Sequence, residues 1–66
     1  MPRSEQIRRM AKVFGDYSDE PLEGFYEEII SVLEWECGED RVESFLSGDG
    51  FALTNDDVMA ALQAVL

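Results

Sequence analysis

Apolar side chains recur along this chain at three- and four-residue steps, the spacing that gathers them on one side of an α-helix. Ile7, Met10, Ala11 and Phe14 form the first such set, with Ser4 where a capping hydroxyl belongs and Gly15 where a left-handed terminator does. The spacing predicts a first helix that turns Arg8, Arg9 and Lys12 away from its apolar side. Leu22, Phe25, Tyr26, Ile29, Val32 and Leu33 share one arc of a second helix, with Ser18 placed to cap it, Pro21 tolerated in its first turn and Gly38 to stop it. At roughly eighteen residues this is the longest predicted element. Gly24 within it weakens the helix by about 1 kcal/mol relative to alanine, which leaves two explanations: close packing by a neighbour, or a helix that begins slightly later.

Glu39 and Asp40 open a short third helix with Val42, Phe45 and Leu46 on its apolar side, closed by Ser47-Gly48-Asp49-Gly50. Phe51-Ala52-Leu53 reads as a brief extended segment. Thr54 followed three residues later by Asp57 has the form of a capping box, and it launches a last helix that buries Val58, Ala61, Leu62, Val65 and Leu66. A lone short strand has nothing to pair with. The expected architecture is therefore all-α, a compact single domain of about four helices spanning residues 1–66.

Composition narrows the picture. A chain of 66 residues holds one modest core, and 45% hydrophobic residues are too many for a disordered acidic tail. Apolar burial and ordering entropy nearly cancel at this size, so a monomer or a weak homodimer is expected. Fifteen acidic side chains against five basic ones give a net charge of -10. Such a surface repels nucleic acid and anionic membrane and favours a basic protein partner. Cys37 has no intrachain partner for a disulfide, no apolar run approaches the roughly 18 residues of a membrane span, and no signal-like segment stands at the start. These features lead to the expectation of a cytoplasmic protein.

The charge is unevenly spread. Residues 1–12 carry Arg3, Arg8, Arg9 and Lys12 against Glu5, a net +3, whereas residues 13–66 carry fourteen acids against Arg41, a net -13. On the wheel of the second helix Glu20, Glu23, Glu27 and Glu34 fall within an arc of about 60° opposite the apolar set, with Ser31 completing the row. This carboxylate ridge runs on the order of 20 Å. Asp16, Asp19, Glu36, Glu39, Asp40 and Glu43 extend the charge beyond both ends. Two readings of the ridge stand side by side. Acids on a solvated helix face keep a small protein soluble. Against that, like charges at four-residue spacing, such as Glu23 with Glu27, and anions in a last helical turn, Glu34 and Glu36, both oppose the helix. Local rules broken in one direction point to an external cationic partner, whose phosphate-binding groove the acids would occupy.

Trp35 also carries two readings. It is an exposed anchor beside the acids, or it packs on a neighbouring helix; Tyr17 and Tyr26 share the ambiguity. The basic side of the first helix either pairs with surplus acids of the same chain or touches a partner.

Catalytic chemistry finds little footing. There is no histidine, and the one cysteine cannot build a structural metal site, so no catalytic residue, metal site or cofactor is expected and the chain is read as non-enzymatic. A calcium loop placed with Gly50 at its sixth position puts Phe45 where the first carboxylate belongs. Glu43-Ser44-Phe45 is superficially like the modified-serine motif of acyl carrier proteins, but Ser44 falls within the third helix rather than at a helix start.

As a whole the chain resembles the small acidic anti-CRISPR inhibitors that phages direct at type I surveillance complexes. Size, acidity and the lack of catalytic groups carry the resemblance, with Glu20-Pro21-Leu22-Glu23-Gly24-Phe25-Tyr26-Glu27-Glu28 and Glu34-Trp35-Glu36-Cys37-Gly38-Glu39-Asp40 as the relevant segments. It implies a DNA mimic that works inside a bacterial host cell and occupies the positively charged DNA channel of the effector complex. Glu20, Glu23, Glu27, Glu28, Glu34, Trp35, Glu36, Glu39 and Asp40 are the candidate partner-binding residues. The alternatives are an immunity or antitoxin protein that neutralises a basic nuclease, and a helical adaptor that docks through Met10, Phe14, Tyr26 and Trp35.

Overall fold

The computed structural model describes residues 1–66 and contains four helices and no strand. They are α1 (Arg3–Val13), α2 (Glu23–Cys37), α3 (Glu39–Leu46) and α4 (Asn55–Val65). No helix is long and apolar enough to cross a membrane.

Helix α1 begins before the expected cap. Pro2 holds an extended conformation, and its carbonyl accepts from the backbone N–H groups of Glu5 and Gln6, so Ser4 lies inside the first turn. Gly15, at φ +81°, ends the helix as the pattern predicts. Helix α2 begins later than expected. The Ser18 hydroxyl and backbone N–H both donate to Asp16 Oδ1, at 2.7 and 3.1 Å, which makes a local turn in place of a cap. Pro21 and Leu22 then precede the helix, and Leu22 remains 70% exposed. Gly24 falls in the first helical turn, where a Cβ would meet nothing within 4 Å. The later start, not close packing, explains it.

A single residue joins α2 to α3: Gly38, at φ +95°, ends one helix and begins the next. The Thr54 hydroxyl accepts from the Asp57 backbone N–H and the Asp57 carboxylate accepts from the Thr54 N–H, which completes the anticipated capping box of α4. Phe51–Leu53 is no extended strand. It lies in the turn between α3 and α4, because only Leu53 of the three enters the core.

The core is built around α2, which packs against all three other helices. Met10, Ile29, Ile30, Leu33 and Val42 are the largest fully buried side chains, joined by Ile7, Tyr26, Leu46, Leu53 and Val58. Ile30 lies outside the arc drawn through Leu22, Phe25 and Val32. With Leu22 in solvent and Phe25 and Val32 only partly covered, the buried side of α2 centres on Tyr26, Ile29, Ile30 and Leu33, rotated by roughly 50° toward the glutamate row.

Candidate protein-binding surface

The rotation of α2 redistributes its acids. Glu20 lies in the loop ahead of the helix and therefore outside the helical row. Glu34 sits at the edge of the core with 18% of its side chain exposed, and its Oε1 accepts from Arg3 Nη2 at 2.9 Å. The continuous ridge of Glu20, Glu23, Glu27 and Glu34 is thus interrupted at both ends, once by the true helix start and once by an arginine of α1. Glu23 and Glu27 remain exposed without an ion pair.

Most of the basic groups hold the fold together. Arg3 Nη1 also donates to Gln6 Oε1 at 3.0 Å, and Gln6, the one buried polar side chain, passes its own Nε2–H to Glu43 Oε2 at 3.0 Å. The Met1 amino group meets Glu43 Oε1 at 3.1 Å. That ammonium, then Gln6, hold the Glu43 carboxyl below its ordinary range. Arg9 ties α1 to α3 by donating to the Leu46 carbonyl at 2.9 Å, and with Arg8 it flanks Glu5, whose carboxyl is lowered chiefly by the bond from Arg9. Arg41 ties α3 to α4, donating from Nε to the Ala52 carbonyl at 2.9 Å while Nη2 stands 3.7 Å from Asp57 Oδ2. Asp57 is held low mainly by its capping bonds to Thr54. Intramolecular pairing is therefore what Arg3, Arg8 and Arg9 do; Lys12 forms no ion pair.

Four of the fifteen acids are in ion pairs: Glu5, Glu34, Glu43 and Asp57. The other eleven form no ion pair, although Asp16 and Asp19 line one cleft with Arg8 and Lys12, and Asp40 and Asp49 share another with Arg41. Gly24, Glu28, Ser31 and Trp35, at steps of four, three and four residues, line the side of α2 opposite the core and are all exposed. Glu27 flanks this strip on one side and Glu36 on the other, and beyond the Gly38 turn the exposed pair Glu39 and Asp40 opens α3.

Trp35 is 88% exposed and belongs to neither aromatic pair, Phe14 with Tyr26 or Phe25 with Tyr26. Packing against a neighbouring helix is thereby excluded for this residue. The two tyrosines divide. Tyr17 is in solvent, whereas Tyr26 is buried with its hydroxyl donating to Asp16 Oδ2 at 3.1 Å. Burial first, then the bond to Asp16, pushes the Tyr26 phenol up, and Asp16 is held low mainly by Ser18. Met10 and Tyr26 are core residues and Phe14 is partly covered, so of the four side chains proposed for an adaptor surface only Trp35 is freely presented.

Leu66, expected on the buried side of α4, is instead 82% exposed just past the end of that helix, and a second apolar residue also escaped the sequence pattern. Phe51 is fully solvated at the rim of an open cleft of about 300 Å³ that also involves Asp40, Arg41, Ser44, Asp49 and Ala52. A narrower groove of about 160 Å³ runs between α2 and α4 along Val32, Glu36, Asp57, Ala60 and Ala64. No group of three or more histidine, cysteine, aspartate or glutamate side chains is arranged to hold a metal ion. Cys37 is a free, half-buried thiol packed against the core. No family model, curated protein or solved structure matches this chain.

Proposed function

We propose that this protein is a non-enzymatic inhibitor that docks on a cationic, nucleic-acid-binding protein surface and excludes nucleic acid from it. The observation that carries this reading is Trp35, 88% exposed on a strip whose neighbours Glu28, Glu36, Glu39 and Asp40 are exposed acids without an ion pair. A tryptophan presents roughly 150–250 Å² of surface, and such side chains are over-represented among the residues that dominate binding energy. Solubility alone accounts for the acids but gives no reason to place indole among them.

The mechanism is competition. Carboxylates take the arginine and lysine positions that would hold phosphates, release the same condensed anions from the partner, and leave the indole to fill an adjacent apolar patch. The acids form a cluster around the α2–α3 turn with a second group, Glu23 and Glu27, about 18 Å away along α2. The resemblance to anti-CRISPR inhibitors makes the DNA channel of a type I surveillance complex the first target to test.

A purified type I complex, its labelled target duplex and increasing amounts of this chain provide that test by electrophoretic mobility. The chain is expected to displace duplex, with an affinity that falls steeply between about 50 and 200 mM salt. Glu28→Lys with Glu36→Lys is expected to abolish displacement while circular dichroism stays unchanged, because neither side chain makes an ion pair in the fold. Displacement that survives both the salt and the double substitution would refute this surface.

A further inference from the structure

Phe51 is a large apolar side chain that contributes nothing to the core, yet the backbone presenting it is firmly held. Its N–H donates to Asp49 Oδ1 at 3.0 Å, the Ala52 N–H donates to the Asp49 carbonyl at 3.1 Å, and the Ala52 carbonyl accepts from Arg41 Nε at 2.9 Å. Leu53, two residues beyond Phe51 and 3% exposed, anchors the segment in the core. The ring is thus fully solvated on a backbone that is already ordered, so binding through it loses little conformational entropy.

The surroundings of the ring select the chemistry of an occupant. Asp40 and Asp49 border the cleft without an ion pair, whereas its single cation, Arg41, is engaged by Ala52 and Asp57. The cleft is therefore negative, with an aromatic face at its rim. A second copy of this chain fits poorly there. The narrow groove between α2 and α4, the most apolar recess on the molecule, is bordered by Glu36 and Asp57 and would set acid against acid. An arginine side chain matches on both counts, since its guanidinium pairs with carboxylates and stacks on an aromatic ring, which a lysine ammonium does less well.

We propose that Phe51, with Asp40 and Asp49, forms a second docking point that receives an arginine side chain of the protein partner. The proposal rests on the reading that the partner is a cationic protein, and it specifies which cation this part of the surface prefers. Trp35 and Phe51 would then grip the partner from two places on a molecule whose backbone measures 27 × 25 × 18 Å.

Nona-arginine and nona-lysine, equal in charge, serve as probes for titration calorimetry and for amide chemical-shift mapping at low salt. The wild-type chain is expected to bind nona-arginine about threefold more tightly than nona-lysine, with shifts at residues 49–52 on titration. Phe51→Ala is expected to weaken that preference, leaving the share carried by Trp35, and to keep nona-lysine affinity unchanged; Phe51→Leu, which keeps an apolar side chain but no aromatic face, should behave the same way. Melting curves of both variants should match wild type, because the ring is fully solvated. An arginine preference undiminished in Phe51→Ala, or shifts confined to Glu23–Glu28, would overturn the docking point while the cationic-partner reading stands. Failure of the wild-type chain to bind either peptide would overturn both.

Discussion

Glu34 and Glu36 lie two residues apart on α2 and have opposite fates. Glu34 turns toward α1, is mostly covered, and is bonded to Arg3. Glu36 turns toward the groove beside α4, is exposed, and meets no cation. The same contrast runs through the whole molecule. Where α1 meets α2 and α3, Arg3, Gln6, Arg9 and Glu43 link helices distant in sequence. Around the outer side of α2 and the start of α3, acids stand with exposed Trp35 and no compensating charge. Three of the five basic side chains, Arg3, Arg9 and Arg41, are committed to contacts between helices or with the turn that joins them, so the acids on the outer side of α2 and at the start of α3 are left without ion pairs.

The sharpest way to break that division is to empty the core on which both sides depend. Ile30 is fully buried, so Ile30→Ala should lower unfolding free energy by about 2–5 kcal/mol in a urea titration and loosen the stitched and the open side together. Acidification should act next, by removing the charge on the carboxylates that the fold holds low. The Glu5 and Glu43 carboxyls are lowered in the fold by Arg9 and by the Met1 ammonium respectively. A depressed folded pKa contributes stability that is fully present above the unfolded value, near 4, and is lost as pH falls through the folded value. Melting temperature should therefore hold above about pH 5 and drop below pH 4, and the Glu43→Gln variant should show a shallower drop. A drop of equal steepness in that variant would remove Glu43 from the stitch.

The smallest effect is the most discriminating. Glu34→Gln should cost less than about 1 kcal/mol, since the pair it breaks is only partly shielded from solvent. Glu36→Gln should leave stability unchanged or slightly raised, because it relieves repulsion and an unfavourable position in the last turn of α2. Equal losses in the two variants would erase the distinction between the sides.

Much of the fold is legible in local pattern. The four apolar repeats, the stops at Gly15 and Gly38, and the Thr54–Asp57 capping box all depend on residues within one or two turns of each other. The start of α2 was obscured because Ser18 has two uses, and here it bonds to Asp16 instead of capping a helix. Ile30 falls outside the expected arc because counting Phe25 and Val32 as full core members tilts that arc away from it; only the tertiary packing of α1, α3 and α4 around α2 shows which side is enclosed. The Arg3–Glu34 pair joins residues 31 positions apart, and no periodicity encodes it. Phe51 gave an apolar signal in a run with Ala52 and Leu53, and the pattern could not tell that only Leu53 turns inward. Of the surface, the acids were readable; the exposure of Trp35, which the sequence leaves open, and the partition between engaged and free carboxylates were not.

The joint at Gly38 gives this arrangement a further property. The backbone of one residue, held at a φ that a side chain would disfavour, turns the chain from the longest rod of the protein into the short one packed against it. Anything displayed at the vertex therefore moves as a single rigid corner: substitutions there alter how many charges are shown, while a change at the glycine would alter the direction in which they point.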